Sequence, residues 1–156
     1  MTRLLVLLAA VTFSGFTMAA QATDPVSGTW ELNVAKSKYM PASMKPRSQT
    51  RVIEVKGQQE TGRHTIVDAQ GLSSTVEYTA NYDGKQYPYK GHPDWQTLVI
   101  KRIDAYRSEV RQTGAGKAVI SGTRVVSQDG KTMTVTIKGT NAKGEPVAVT
   151  MVFDKK

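Results

Sequence analysis

Short stretches of alternating apolar and polar residues, separated by glycine-containing turns, fill the chain from residue 28 to its end. The clearest is residues 132–138, where methionine, valine and isoleucine alternate with threonine and lysine. Alternation with a period of two indicates a β-strand with one buried face. The Asp-Gly pairs at residues 83–84 and 129–130 are typical of tight turns between antiparallel strands. The pattern therefore predicts a chain of strands joined by hairpins.

These strands must bury their apolar faces against one another. The chain carries about nine or ten of them at spacings near ten residues, which favours an antiparallel meander. No helical period extends beyond about two turns after residue 22. A meander covers its apolar face by folding over or by closing into a barrel. We therefore predict an all-β, antiparallel up-and-down β-barrel of about 8–10 strands, without substantial helix and wide enough to hold a small ligand.

The N-terminal stretch, residues 1–22, has the pattern of a secretory signal peptide. Arg3 precedes an unbroken apolar run over residues 4–11, and Ala20-Gln21-Ala22 is a small-x-small cleavage site. The run is shorter than the roughly 20 residues that a membrane-spanning helix needs. The alternative is a buried N-terminal helix. We expect cleavage after Ala22, a single mature domain at residues 23–156, and a location in the periplasm or outside the cell.

Composition narrows the choice of chemistry and partner. The chain contains no cysteine, which excludes disulfides, thiol catalysis and cysteine–zinc sites. Small secreted domains usually carry disulfides, so a short leader with a cysteine-free body favours a bacterial periplasmic protein. The formal net charge of +8 is spread along the chain. It suits solubility or a weak contact with an anionic envelope surface. We expect a monomer that neither spans a membrane nor binds nucleic acid, since no recognition helix is visible.

Patterns for catalysis or metal binding are weak. No Gly-x-Ser-x-Gly elbow is present, and Gly114-Ala115-Gly116 precedes no helix that could bind a phosphate. We interpret His64 as a solvated histidine. His92 and Asp94 are close enough to converge in a loop, but a closed zinc site would need further ligands. The sequence therefore predicts no enzyme, no cofactor and no metal.

Aromatic residues cluster within residues 82–95 and have two interpretations. They either cap the core beneath a long loop or form a barrel mouth, where rings with polar tips contact a ligand. Arg124 shares strand parity with Ile120 and Val126, so it is predicted to point inward, where a cation needs an acidic ligand group or an internal partner. The candidate ligand-binding residues are Trp30, Tyr78, Tyr87, Tyr89, Trp95, Arg124, Met133, Met151 and Phe153.

Local expectations concern two loops and two tryptophans. Residues 57–62 are predicted to form a polar turn. Residues 35–46 contain two prolines and are predicted to be a loop that covers one barrel end. Trp30, in the first strand-like stretch, is predicted to be buried. Trp95 is predicted to lie at a loop mouth, where its truncation lowers stability little.

Both ends of the mature chain resemble known barrels. Gly28-Thr29-Trp30 resembles the Gly-x-Trp signature of the lipocalin and fatty-acid-binding superfamily, in which the tryptophan closes one barrel end. Thr150-Met151-Val152-Phe153-Asp154-Lys155 is similar to the closing strand of fatty-acid-binding proteins. Met151 and Phe153 stand where that family has the Arg and Tyr that clamp a carboxylate. The resemblance therefore implies a barrel without that clamp.

A second resemblance covers nearly the whole mature chain. Stretches such as Gly28-Thr29-Trp30-Glu31-Leu32-Asn33-Val34 and Gln128-Asp129-Gly130-Lys131-Thr132-Met133 are similar to a group of small exported bacterial lipocalin-like proteins. This group implies the fold and export and supplies no catalytic residues.

Two functional hypotheses follow. The first is an exported binding module, a barrel that holds a small, largely apolar ligand. The alternative is a structural or interaction protein with a filled barrel, whose basic surface contacts anionic envelope polymers or a protein partner. A cavity-lining Arg124 without a partner would favour the first hypothesis, and a packed interior would favour the second.

Overall fold

The computed structural model describes residues 23–156, and the predicted signal peptide, residues 1–22, lies outside the described residues. The regular secondary structure of the described chain is almost entirely antiparallel strand, which confirms the predicted all-β fold. The strands are β1 (Gly28–Leu32), β2 (Lys38–Met40), β3 (Ser48–Lys56), β4 (Gln59–Val67), β5 (Ser73–Asn81), β6 (Asp83–Pro88), β7 (Trp95–Arg102), β8 (Arg107–Gly114), β9 (Val119–Val126), β10 (Thr132–Thr140) and β11 (Pro146–Lys155).

The sheet is a nearly closed up-and-down barrel. Ten strands are hydrogen-bonded in the order β5-β4-β3-β1-β11-β10-β9-β8-β7-β6, and the short β2 pairs with β11 beyond the end of β1. A single bridge joins Glu77 of the outer strand β5 to Lys90, just after the outer strand β6, with N···O distances of 2.9 and 3.0 Å. The described strands therefore form a barrel that is closed everywhere except along part of the β5–β6 seam.

Alternation sorts the side chains as the sequence predicts. Inward positions of β10 and β11, including Met133, Val135, Met151 and Phe153, are buried, whereas the glutamates of β1, β3, β5 and β8 are exposed. Each buried apolar side chain contributes on the order of 1.5–3 kcal/mol through removal from water.

Among residues 23–156 no helix is long and apolar enough to cross a membrane.

The first strand closes one end of the barrel. Trp30 is fully buried, its Nε1–H donates to the Val26 carbonyl at 2.9 Å, and the Lys155 ammonium lies 4.9 Å from the ring centroid. Strand β1 pairs with both β3 and β11, so it joins the start of the chain to its end. We call this the closed end, and the opposite one the open end.

Three local predictions were wrong. The polar turn predicted for residues 57–62 is limited to Gly57 and Gln58: β4 begins at Gln59, and pairing with β3 points Glu60 inward. His64 is not solvated but buried, with 4% of its surface exposed, because it shares the inward face of β4. Residues 35–46 cover the open end, but they also contain β2 and a 3-10 turn at Ala42–Met44.

Candidate functional site

An ion pair occupies the interior toward the closed end. The Arg124 guanidinium on β9 donates from Nη1 to Glu60 Oε1 at 2.8 Å and from Nη2 to Oε2 at 2.7 Å. Its Nε–H donates to Ser108 Oγ at 3.2 Å. The inward direction predicted for Arg124 is therefore confirmed, and its acidic partner is a residue of the barrel itself.

Two tyrosines complete the surroundings of Glu60. Tyr78 donates to Oε1 at 2.6 Å, and Tyr82 donates to Oε2. Burial alone would raise the pKa of Glu60, but the charge and hydrogen bonds of Arg124, with those of the tyrosines, lower it below its ordinary value. Each carboxylate oxygen thus accepts two hydrogen bonds and stays ionised. Such a saturated group suits a structural role better than proton transfer to a substrate.

An aromatic row leads from this network toward the open end. His64 Nδ1 lies 3.0 Å from the Tyr89 hydroxyl, and its ring packs edge-on against Tyr78 with centroids 5.3 Å apart. The ring centroids of Tyr89 and His92 are 6.1 Å apart, and those of His92 and Trp95 are 6.4 Å apart. Burial, with the positive charges of Arg51 and Arg124, holds the pKa of His64 well below 6.5, so the ring is neutral.

The loop before β7 is fixed through His92. Its Nδ1 accepts from the N–H groups of Asp94 and Trp95 at 3.0 and 3.3 Å. Gly91 has a φ of 90°, and a Cβ there would overlap the Thr75 carbonyl, so only glycine lets the loop lie against β5. Burial lowers the pKa of His92 to about 4, and nearby Asp94 opposes that shift.

A cavity of about 760 Å³ opens beside this loop. Its volume falls within the roughly 300–1,000 Å³ of typical small-molecule sites. It reaches inward from the 3-10 turn and the His92 loop to the middle of the barrel. Apolar walls come from Met44, Ile66, Leu72, Trp95, Ile120, Ile137, Val149 and Met151, and polar groups come from Tyr39, Gln49, Arg51, Tyr89, His92 and Gln112.

Arg51 is the cation in the wall of this cavity. It lies on β3 directly opposite His64 on β4, and its guanidinium is 4.3 Å from the Phe153 ring centroid. Its Nη2 approaches Met151 Sδ at 3.5 Å. Burial lowers the pKa of Arg51, and the positive charge of Arg124 acts in the same direction. Within the described chain, Arg51 takes part in no salt bridge.

The sequence-predicted candidates divide into three groups. Tyr89, Trp95 and Met151 line the cavity. Tyr78 and Arg124 belong to the Glu60 network. The others lie elsewhere: Trp30, Met133 and Phe153 fill the closed half, and Tyr87 lies on β6 bonded to Asn81 and Asp83.

Sequence reasoning missed the polar wall of the cavity. Gln49 and Arg51 have the same strand parity as buried Ile53, which was the available signal. Trp95 is only 5% exposed, because the His92 loop folds over it, so it is not the exposed mouth residue that the sequence suggested.

No group of three or more histidine, aspartate or glutamate side chains in residues 23–156 is placed to hold a metal ion.

Compared with known proteins, the sequence matches no protein-family model and no curated protein.

Proposed function

We propose that this protein is a binding module that holds a small, largely apolar molecule in the open-end cavity. The observation that carries the proposal is the division of the barrel interior. The closed half is filled by Trp30, Phe153 and the Glu60–Arg124 network, whereas the open half contains a solvent-open cavity of about 760 Å³ with largely apolar walls. A space of this size and lining supports ligand binding, since burial of apolar ligand surface is the main source of affinity in such sites.

The alternative is a filled barrel that acts through its surface. It rests on the net charge of +8, which is spread over the chain and by itself marks no partner. The packed interior that would favour it is found only in the closed half, where Arg124 is paired with Glu60 and therefore gives the binding hypothesis no support. An enzymatic role has less support, because the buried carboxylate, Glu60, is saturated by hydrogen bonds.

The proposal includes export to the periplasm or the cell exterior, and a resemblance of the barrel to small exported lipocalin-like proteins, which rests on the Gly28-Thr29-Trp30 signature. Export is supported by the signal-peptide pattern of residues 1–22. N-terminal sequencing of the secreted protein tests it. We expect Thr23 as the first residue, and an intact Met1 on the soluble protein would contradict export.

Binding is tested with N-phenylnaphthylamine, a neutral fluorophore that brightens in apolar surroundings. Ser74 lines the cavity from β5, and its neighbour Thr75 is exposed on the outer face of the same strand. Ser74→Trp should fill part of the cavity and weaken probe binding at least about tenfold, a loss of about 1.4 kcal/mol. Thr75→Trp adds the same side chain outside and should bind like the parent. No probe binding by the parent, or equal binding by both variants, would refute the proposal.

A further inference from the structure

Arg51 stands out among the partly buried cations because it faces a cavity without a carboxylate partner. The deeply buried Arg124 has Glu60, and the half-buried Arg102 has Asp24 at 2.7 Å. Arg51 instead contacts a thioether and an aromatic ring. With its amide oxygen turned toward Arg51, Gln49 accepts from Nε at 3.2 Å and from Nη2 at 3.3 Å. These are neutral partners, and a cation removed from water is stabilised most by an anion with hydrogen-bond acceptors.

A further hydrogen-bond donor lies in the same part of the cavity. The Tyr39 hydroxyl is buried and has no hydrogen-bond partner within the described part of the chain. It lines the cavity together with Arg51 and Tyr89. A buried polar atom without a partner is costly, so a ligand that offers acceptors at this point would satisfy the Tyr39 hydroxyl together with Arg51.

The acidic residues of the cavity lie at its rim. Asp94 is exposed in the His92 loop, and partly exposed Asp68 accepts the N–H groups of Gln70 and Leu72 after β4. A negative group at the mouth would be repelled by both carboxylates. A negative group deep in the cavity would meet Arg51. This arrangement favours one anionic group at the inner end of an apolar body, not a polyanion.

We infer that Arg51 is the anchor for a single anionic group on the ligand, so that the ligand class is a small apolar molecule with one carboxylate, sulfonate or phosphate group. The inference rests on the proposed binding function and adds the charge and orientation of the ligand. The apolar body lies among Ile120, Ile137 and Val149, and the anionic group lies against the guanidinium with the Tyr39 hydroxyl beside it.

A matched pair of fluorescent probes tests this assignment. Anilinonaphthalene sulfonate and N-phenylnaphthylamine share the same ring system and differ by the sulfonate group. We expect the parent protein to bind the sulfonate about tenfold to a hundredfold more tightly, as for a hydrogen bond between charged groups. Arg51→Met keeps an apolar side chain of similar length without the charge. It should bring the ratio of the two affinities close to one, and far-UV circular dichroism and the melting temperature show that the variant is folded.

Control variants locate the effect. Arg111→Met removes the same charge from the exposed face of β8 and should keep the ratio of the parent. Arg51→Lys keeps the positive charge but lacks the planar guanidinium. It should therefore keep part of the preference for the sulfonate probe. Ser74→Trp should weaken both probes, which places them in one cavity. Displacement by decanoate, decyl phosphate and decanol then separates a carboxylate from a phosphate ligand, with decanol expected to be weakest.

The outcomes separate this inference from the proposed function. If the neutral probe binds but the sulfonate is not preferred, or if the preference survives Arg51→Met, the anchor role is overturned and the binding function stands. If neither probe binds the parent, both are overturned. If the ratio falls equally in Arg111→Met, the preference reflects net charge, and the assignment to Arg51 is wrong.

Discussion

Glu60 on β4 and Arg124 on β9 meet in a two-point ion pair across the barrel interior, although 64 residues separate them in the sequence. The two strands are not neighbours in the sheet, so the pair links opposite walls. It also fills the interior next to the cavity with fixed polar groups. The pair therefore bears on both the stability of the barrel and the depth that a ligand can reach.

Breaking this pair one residue at a time should be strongly destabilising. Arg124→Met leaves a buried carboxylate, and Glu60→Gln leaves a buried guanidinium without its counter-charge. Each should lower the free energy of unfolding by about 3–5 kcal/mol, measured by urea denaturation. The double variant Glu60→Leu/Arg124→Met removes both charges and should recover much of that loss. Additive losses in the double variant would show that the two residues do not act as a pair.

Gly62 makes room for the ring that supports Glu60. A Cβ at this position would overlap the Tyr78 ring, whose hydroxyl donates to Glu60. Gly62→Ala should therefore displace the ring and lower the melting temperature, with a loss of about 1–3 kcal/mol as for overpacked cores. In a Tyr78→Leu background the same substitution should have a much smaller effect. Equal effects in the two backgrounds would show that Gly62 acts through its backbone alone.

Trp30 should be the more important tryptophan for the scaffold. It is fully buried and hydrogen-bonded at the closed end, so Trp30→Ala should lower the free energy of unfolding by about 3–5 kcal/mol. A domain of this size has only about 5–15 kcal/mol in total. Trp95 is also buried, so Trp95→Ala should reduce stability too, in contrast to the small effect that the sequence predicted. The conservative Trp95→Phe should instead preserve the melting temperature and remove the change in tryptophan emission on ligand binding. An unchanged emission response in Trp95→Phe would place the ligand elsewhere.

Stability should fall as the pH drops from about 7.5 to 5. His64 and His92 have native pKa values below the ordinary 6.5, the second at about 4. Below pH 6.5 the unfolded chain binds protons that the native protein does not, so the free energy of unfolding decreases. The decrease for His92 levels off near its native pKa. We expect about 1–2 kcal/mol per histidine over this interval.

The variant His64→Asn isolates one of these contributions. Its amide lies near the position of Nδ1 and keeps the contact with Tyr89, but it does not titrate. The free energy of unfolding should fall less between about pH 7.5 and 5 in this variant, and the difference from the parent is the contribution of His64. A parent whose unfolding midpoint is constant over that range would contradict the buried, neutral state of both histidines.

Alternation and turn residues were enough to predict the barrel, because a sheet with one apolar face has few ways to cover it. They also placed Arg124 inward, since parity along a strand determines which face a side chain occupies. They did not predict that Glu60 lies in a strand and points inward, because Gly57 and Gly62 on either side of it are typical of a turn. In the structure Gly62 lies within β4, opposite Ile53, and is needed for the approach of Tyr78.

The cavity was harder to predict than the fold. Its wall combines β3, β5, β11, the 3-10 turn and the His92 loop, whose convergence depends on register and closure rather than on local pattern. Arg51 follows a threonine and precedes the exposed Val52 and buried Ile53, so parity indicates its direction but not its lack of an acidic partner. The aromatic cluster was recognised: its buried rings cover the core, and Tyr89 and Trp95 also line the cavity, where contact with a ligand stays a prediction.

Native mass spectrometry of the protein purified from its own host tests the central claim most directly. We expect a co-purifying small molecule that is released on denaturation, ionises as a single anion and has an apolar body. The same preparation of Arg51→Met should carry less of it, and Arg111→Met should carry as much as the parent. A parent protein that has only its bare mass, and that also binds neither fluorescent probe, would contradict the account.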